Sequence, residues 1–172
     1  MQNRMKQHQL TNEQINTLLE RTLTGSLATV SPSGAPYVVP VHFAWDGENV
    51  LIHGLPAGEK LSNIKENPEV CFTAYEMSGF LMDDEGRPCE TNTEYESVVI
   101  KGSAELISEA EVKTAALYKI IEKYTPQLID REIPQNMLKG TAVIRIVPSA
   151  VTVKGRGNGI CTMRSVTRRT PC

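Results

Sequence analysis

The stretch from Tyr37 to Val70 constrains this chain most. It sets two apolar strand-like runs, a tight turn and a Gly-Glu-Lys helix start in immediate succession. Tyr37–Ala44 and Val50–Gly54 are rich in Val, Ile and Phe and flank Trp45-Asp46-Gly47-Glu48-Asn49, the pattern of an antiparallel hairpin whose Asp-Gly supplies positive φ. Pro40 falls inside the first run and cannot donate to a ladder. It marks either an edge or bulge that frees backbone groups of Val39, Val41 and His42 for a ligand, or an ordinary edge proline facing solvent.

After Gly54 the chain turns through Leu55-Pro56-Ala57-Gly58 into a predicted amphipathic helix, Glu59 to Glu66, which Asn67-Pro68 stops. Leu61 and Ile64 share its buried face, and the spacing puts Lys60 and Asn63 together on another. The helix dipole does not favour a cation at an N-terminus. A lysine there is explained by an anion held by Lys60 and the free backbone N–H groups, or by a solvated side chain lying over the helix end.

Asp46-Gly47, Ile52-His53, Gly58-x-Lys60, Asn63-Ile64 and Asn67-Pro68-x-Val70-Cys71-Phe72 occur in that order. Gly34-x-Pro36-Tyr37-Val38-Val39-Pro40-Val41 precedes them and Tyr95-x-Ser97-Val98-Val99-Ile100-Lys101-Gly102 follows. This succession resembles the FMN-binding split-barrel proteins related to pyridoxamine 5′-phosphate oxidase, and within them the Nim-type 5-nitroimidazole-resistance proteins. The similarity spans roughly residues 10 to 155.

The resemblance implies a split β-barrel and FMN as cofactor. The backbone of Val39, Pro40, Val41, His42 and Phe43 would approach the flavin ring, Lys60 and His53 would neutralise its 5′-phosphate, and Asn63, Ser97 and Val98 would add contacts. It also implies a homodimer with flavin at the subunit interface, and a small electron-poor acceptor such as a nitro compound. Pyridoxamine phosphate oxidase proper carries C-terminal tryptophans and an Arg-x-His element. Here Trp45 is the only tryptophan and no histidine follows Lys154, so vitamin oxidation is not expected. No catalytic residue is assigned, since flavin carries the redox chemistry itself.

A chain of 172 residues, 40% apolar and 22% charged, fits one globular domain with a full core. The expected organisation is a barrel domain over 1–154 and a loose basic tail over 155–172 that carries Arg156, Arg164, Arg168 and Arg169. Net charge −2 gives no electrostatic ground for a nucleic-acid partner. No apolar run approaches the roughly 18 residues of a membrane span, and the opening residues lack a signal-peptide core, so a cytoplasmic protein is expected. Cys71, Cys89, Cys161 and Cys172 form no Cys-x-x-Cys pair. Two histidines without a neighbouring carboxylate make a poor metal site. Gly155-x-Gly157-x-Gly159 imitates a dinucleotide fingerprint, but no crossover helix and second strand can follow.

Elsewhere the patterns predict a helix over 12–23 behind a Thr11/Gln14 capping box with Gly25 as its stop, then strands over 26–31 and 69–75. A long loop over 76–94 is expected, then a strand over 95–106 with a bulge at Gly102. A Ser108/Glu111 capping box should open a helix to Tyr124, and Pro134–Leu138 should form a short helical segment. Strands over 141–147 and 150–154 should close the barrel around Pro148. The fold class is therefore mainly β (α+β), with flanking helices. Three functions fit: an FMN-dependent oxidoreductase, a non-catalytic flavin or haem binder with an axial histidine, or a barrel module without chemistry.

Overall fold

The computed structural model describes residues 10–156 and 165–167. In chain order the elements are α1 (Asn12–Arg21), β1 (Gly25–Val30), β2 (Pro36–Val41), β3 (Phe43–Trp45), β4 (Val50–Gly54), α2 (Glu59–Glu66) and β5 (Glu69–Leu81). They continue with β6 (Asn92–Leu106), α3 (Ala110–Tyr124), α4 (Gln135–Gly140), β7 (Ala142–Arg156) and β8 (Ser165–Thr167). The strands pair antiparallel in the order β2-β1-β5-β6-β7-β4-β3, with β8 added to β7. β2 and β3 stand at opposite ends of this path, yet only His42 separates them in sequence. The sheet must therefore curl until its two ends meet, which makes a barrel closed at a seam on His42.

That seam corrects the hairpin expected over 37–54. Only Phe43–Trp45 pairs with β4, while Pro36–Val41 pairs with β1. The Asp-Gly turn is present, with Gly47 at φ +101° and the Asp46 carboxylate accepting from the amides of Glu48 and Asn49. β2 is an end strand of the path, so Pro40 removes no hydrogen bond from a second neighbour.

Inside the barrel, Phe43 and Phe72 pack edge to face at 4.8 Å among Leu18, Leu27, Ile52, Ile100 and Ile146. A second cluster packs α3, through Ala116, Leu117 and Ile120, against Ala44, Leu51 and Val143 of the barrel wall. α1 keeps its Thr11/Gln14 capping box but ends at Thr22. Gly25 is instead a packing glycine in β1, since a Cβ there would lie 2.3 Å from the Phe72 ring. At α3 the expected Ser108/Glu111 box is absent, and Glu109 is the N-cap with no side-chain bond to the helix.

The loop expected over 76–94 is strand at both ends, over 76–81 and 92–94. β5 runs to Leu81 and β6 begins at Asn92, so the pair extends well past the barrel wall with one irregularity between Met77 and Gly79. Glu76 and Glu96 face each other across this pair, and like charges so placed repel. Arg21 at the end of α1 bonds both carboxylates, which ties the helix to the arm. β7 is one strand rather than two, bulged where Lys101 pairs Ala150 and Gly102 pairs Pro148. Of the basic tail, Gly155 and Arg156 continue β7 and Ser165–Thr167 form β8. Gly157, Gly159, Cys161, Arg164, Arg168, Arg169 and Cys172 lie outside the described residues.

Gly102 is a glycine for close approach, because a Cβ there would sit 2.2 Å from the Val147 carbonyl oxygen. Backbone cannot yield as a side chain can. Gly102→Ala should cost roughly 1 to 3 kcal/mol in denaturant unfolding, the usual range for overpacking. An unchanged midpoint would show that the bulge relaxes freely.

Candidate functional site

The cationic residues singled out in the sequence converge where β4 ends and α2 begins. His53 is exposed near the end of β4, and Gly58, at φ +130°, turns the chain into α2 as its N-cap. No side chain caps that N-terminus. Lys60 points back along the strand: a Cβ on Gly54 would lie 3.5 Å from its Nζ. Although solvent reaches it, the His53 imidazole is held below its ordinary pKa first by partial desolvation, then by its basic neighbours His42 and Lys60. Three basic side chains from the seam, β4 and α2 thus share one patch.

Asn63 corrects the face assigned to it. It is 2% exposed, beside Leu61 and Ile64, and its amide donates to the buried Thr29 hydroxyl at 3.0 Å. That bond pins α2 to β1, which fixes the helix start carrying Lys60. Val41 and Phe43 turn their side chains into the core, whereas Val39 is half-buried and Pro40 exposed on β2. Phe43 offers little backbone either, because its N–H donates to the Tyr124 hydroxyl at 2.9 Å and its carbonyl lies 2.9 Å from the same oxygen.

Ser97 and Val98 are not gathered into this patch. Ser97 pairs Lys154 on β7 and donates to its carbonyl at 3.3 Å, whereas His53 pairs Val143 on the other side of β7. Those partners are separated by eleven residues of strand, roughly 35 Å of extended chain. The Val98 side chain is wholly buried and its carbonyl accepts from Thr73 Oγ1 at 2.8 Å.

Lys123 and Tyr124, which end α3, carry no local motif that marks them as functional. Lys123 Nζ lies 3.6 Å from the centre of the Phe43 ring and donates to the Leu19 carbonyl at 2.8 Å. Burial lowers its pKa to about 8, against a smaller opposing effect of Glu20. The Tyr124 ring lies 4.9 Å from that of His42, and its hydroxyl is also 2.7 Å from the Leu23 carbonyl. Burial raises the Tyr124 pKa, so the hydroxyl keeps its proton to donate.

Two cavities open beside Trp45. One, of about 250 Å³, lies between α1 and the β7 bulge, lined by Ile15, Ile100 and Pro148 among others. The second, of about 320 Å³, is lined by Glu20, Lys119 and Lys123. Neither includes His42, His53 or Lys60.

The family described as pyridoxamine 5′-phosphate oxidase matches residues 11–155. The chain belongs to that family. No curated protein sequence matches it. Among solved structures, it is similar to a candidate 5-nitroimidazole antibiotic resistance protein from Bacteroides thetaiotaomicron, at 21% identity over 94% of this chain and 91% of that one, TM-score 0.72. It is also similar to an FAD- and haem-binding protein from Mycobacterium smegmatis, at 19% identity, TM-score 0.78, covering 97% and 88% of the two chains. The flavocytochrome Anf3 from Azotobacter vinelandii matches at 20% identity, TM-score 0.74, covering 94% and 80%. These likenesses carry the fold: this family member is a mainly β split barrel with flanking helices. Among its described residues no helix is long and apolar enough to cross a membrane.

Proposed function

We propose that this protein binds FMN as a homodimer and passes electrons from the reduced flavin to a small electron-poor acceptor of the nitroimidazole class. The observation that carries the reading is the patch at α2. Gathering His42, His53 and Lys60 beside a helix N-terminus without a side-chain cap is unfavourable unless an anion is bound there, and a phosphate monoester satisfies both features. Lys60 and His53 hold the phosphate in this reading, with the His42 side chain as the third basic group facing it, and the backbone of Val39, Pro40 and Val41 borders the ring. Bound flavin supplies the redox chemistry that no side chain here can.

The distance along β7 supports the dimer. If Ser97 and Val98 also serve the flavin, they serve it from a second copy of the chain. Val38, Tyr75, Met77 and Phe80, large apolar residues exposed on β2 and β5, are suited to be covered by such a copy.

Haem binding is the second reading, favoured by one observation. His53 is held toward its neutral form, the form in which imidazole ligates iron. The visible spectrum of purified protein after incubation with FMN or haem decides between them. A protein-bound flavin spectrum is expected, and a Soret band without flavin uptake would replace the first reading by the second.

The patch also sets a pH dependence. In the free protein partial desolvation and two basic neighbours depress the His53 pKa, and a bound phosphate would raise it, so binding takes up a proton. FMN affinity should weaken as pH rises through the His53 titration. His53→Gln should remove that component, while ionisation of the phosphate itself cancels in the wild-type to variant ratio. A ratio independent of pH would take His53 out of the site.

A further inference from the structure

We propose that Tyr124, at the far end of α3, is the positioning residue that fixes His42 at the barrel seam for anion binding. The inference rests on the phosphate reading above. The sheet path ends on both sides of His42, so this residue lacks the ladder bonds that hold its neighbours on β2 and β3. Its place is set instead by a residue more than eighty positions away in sequence. The Tyr124 hydroxyl accepts from the Phe43 N–H, which belongs to the peptide bond leaving His42, and lies within donating distance of the Phe43 and Leu23 carbonyls. Its ring lies tilted at 36° against the imidazole.

One side chain therefore holds both the peptide and the ring of His42. Lys123 beside it secures the same corner, tying the Leu19 carbonyl of α1 to the Phe43 ring. Through this corner the closing helix is joined to the patch that contains His53 and Lys60. Tyr124 touches no ligand in this account, and its effect passes through His42.

The test compares FMN with riboflavin, which lacks the phosphate, by fluorescence titration of the full-length protein. Tyr124→Phe keeps the ring and removes the hydroxyl, so FMN affinity should fall about threefold to tenfold, the size of the bond to the Phe43 N–H that holds the His42 peptide, with riboflavin affinity unchanged. Tyr124→Leu, which removes both contacts, should lower the FMN-to-riboflavin preference further. In a His42→Gln background, Tyr124→Phe should cause no additional loss, as expected of two residues acting as one unit. An equal loss for both ligands would make Tyr124 structural only and overturn the inference, as would wild-type preference in both Tyr124 variants. Wild-type protein with no preference for FMN would sink the phosphate reading itself, and this inference with it.

Discussion

Lys60→Ala should weaken FMN binding by roughly 1.5 to 3 kcal/mol, a tenfold to hundredfold rise in Kd, while leaving the fold intact. The residue is half-buried, in the first turn of α2, and its amine lies alongside Gly54 at the end of β4. Removing it costs the free protein little, because the amine then no longer crowds the two imidazoles of the patch. It costs the complex a charge-assisted bond to phosphate, for which water is a poorer partner. Riboflavin affinity should stay constant in the same variant. Equal FMN binding by wild type and Lys60→Ala in calorimetric titration would remove this lysine from the site.

Phe43→Ala should destabilise the protein by roughly 3 to 5 kcal/mol, lowering Tm by about 10 °C in a domain of this size. The ring is fully buried, packs on Phe72 at 4.8 Å and carries the Lys123 ammonium on its face. Truncation opens a cavity at the barrel centre and also strips a half-buried cation of its aromatic partner. Phe43→Leu restores much of the volume but not the ring face, so it should fall between alanine and wild type. A loss under about 1 kcal/mol for alanine would show that the seam is not packed against the core as described.

Local chemistry made part of this architecture legible. Gly58 and Asn67 bracket α2, the Thr11/Gln14 pair starts α1, and Gly102 marks where β6 meets the bulge of β7, each through a rule confined to a few neighbouring residues. The seam was illegible for the opposite reason. Tyr37 to Trp45 keeps one strand-forming character throughout, and the switch of partner at His42 is decided by the return of the sheet upon itself. The strand pairing beyond Tyr75 and before Tyr95 has no local signature, because what secures its base joins distant residues, namely Arg21 with Glu76 and Glu96.

The candidate site divides in the same way. His53 and Lys60 could be singled out because a strand end and a helix start follow one another directly. Helical spacing alone misplaced Asn63, because it gives relative angles and not which face the barrel covers; Thr29 settles that by accepting its amide. Tyr124 closes a contact across 81 residues, and the sequence around it shows only a helix about to end at Pro126.

The crystal structure of the FMN complex tests the central claim most directly. The account places the 5′-phosphate within hydrogen-bonding distance, about 3 Å, of Lys60 Nζ and the His53 ring at the start of α2. A phosphate seated instead in either cavity beside Trp45, with Lys60 and His53 left in solvent, would contradict it.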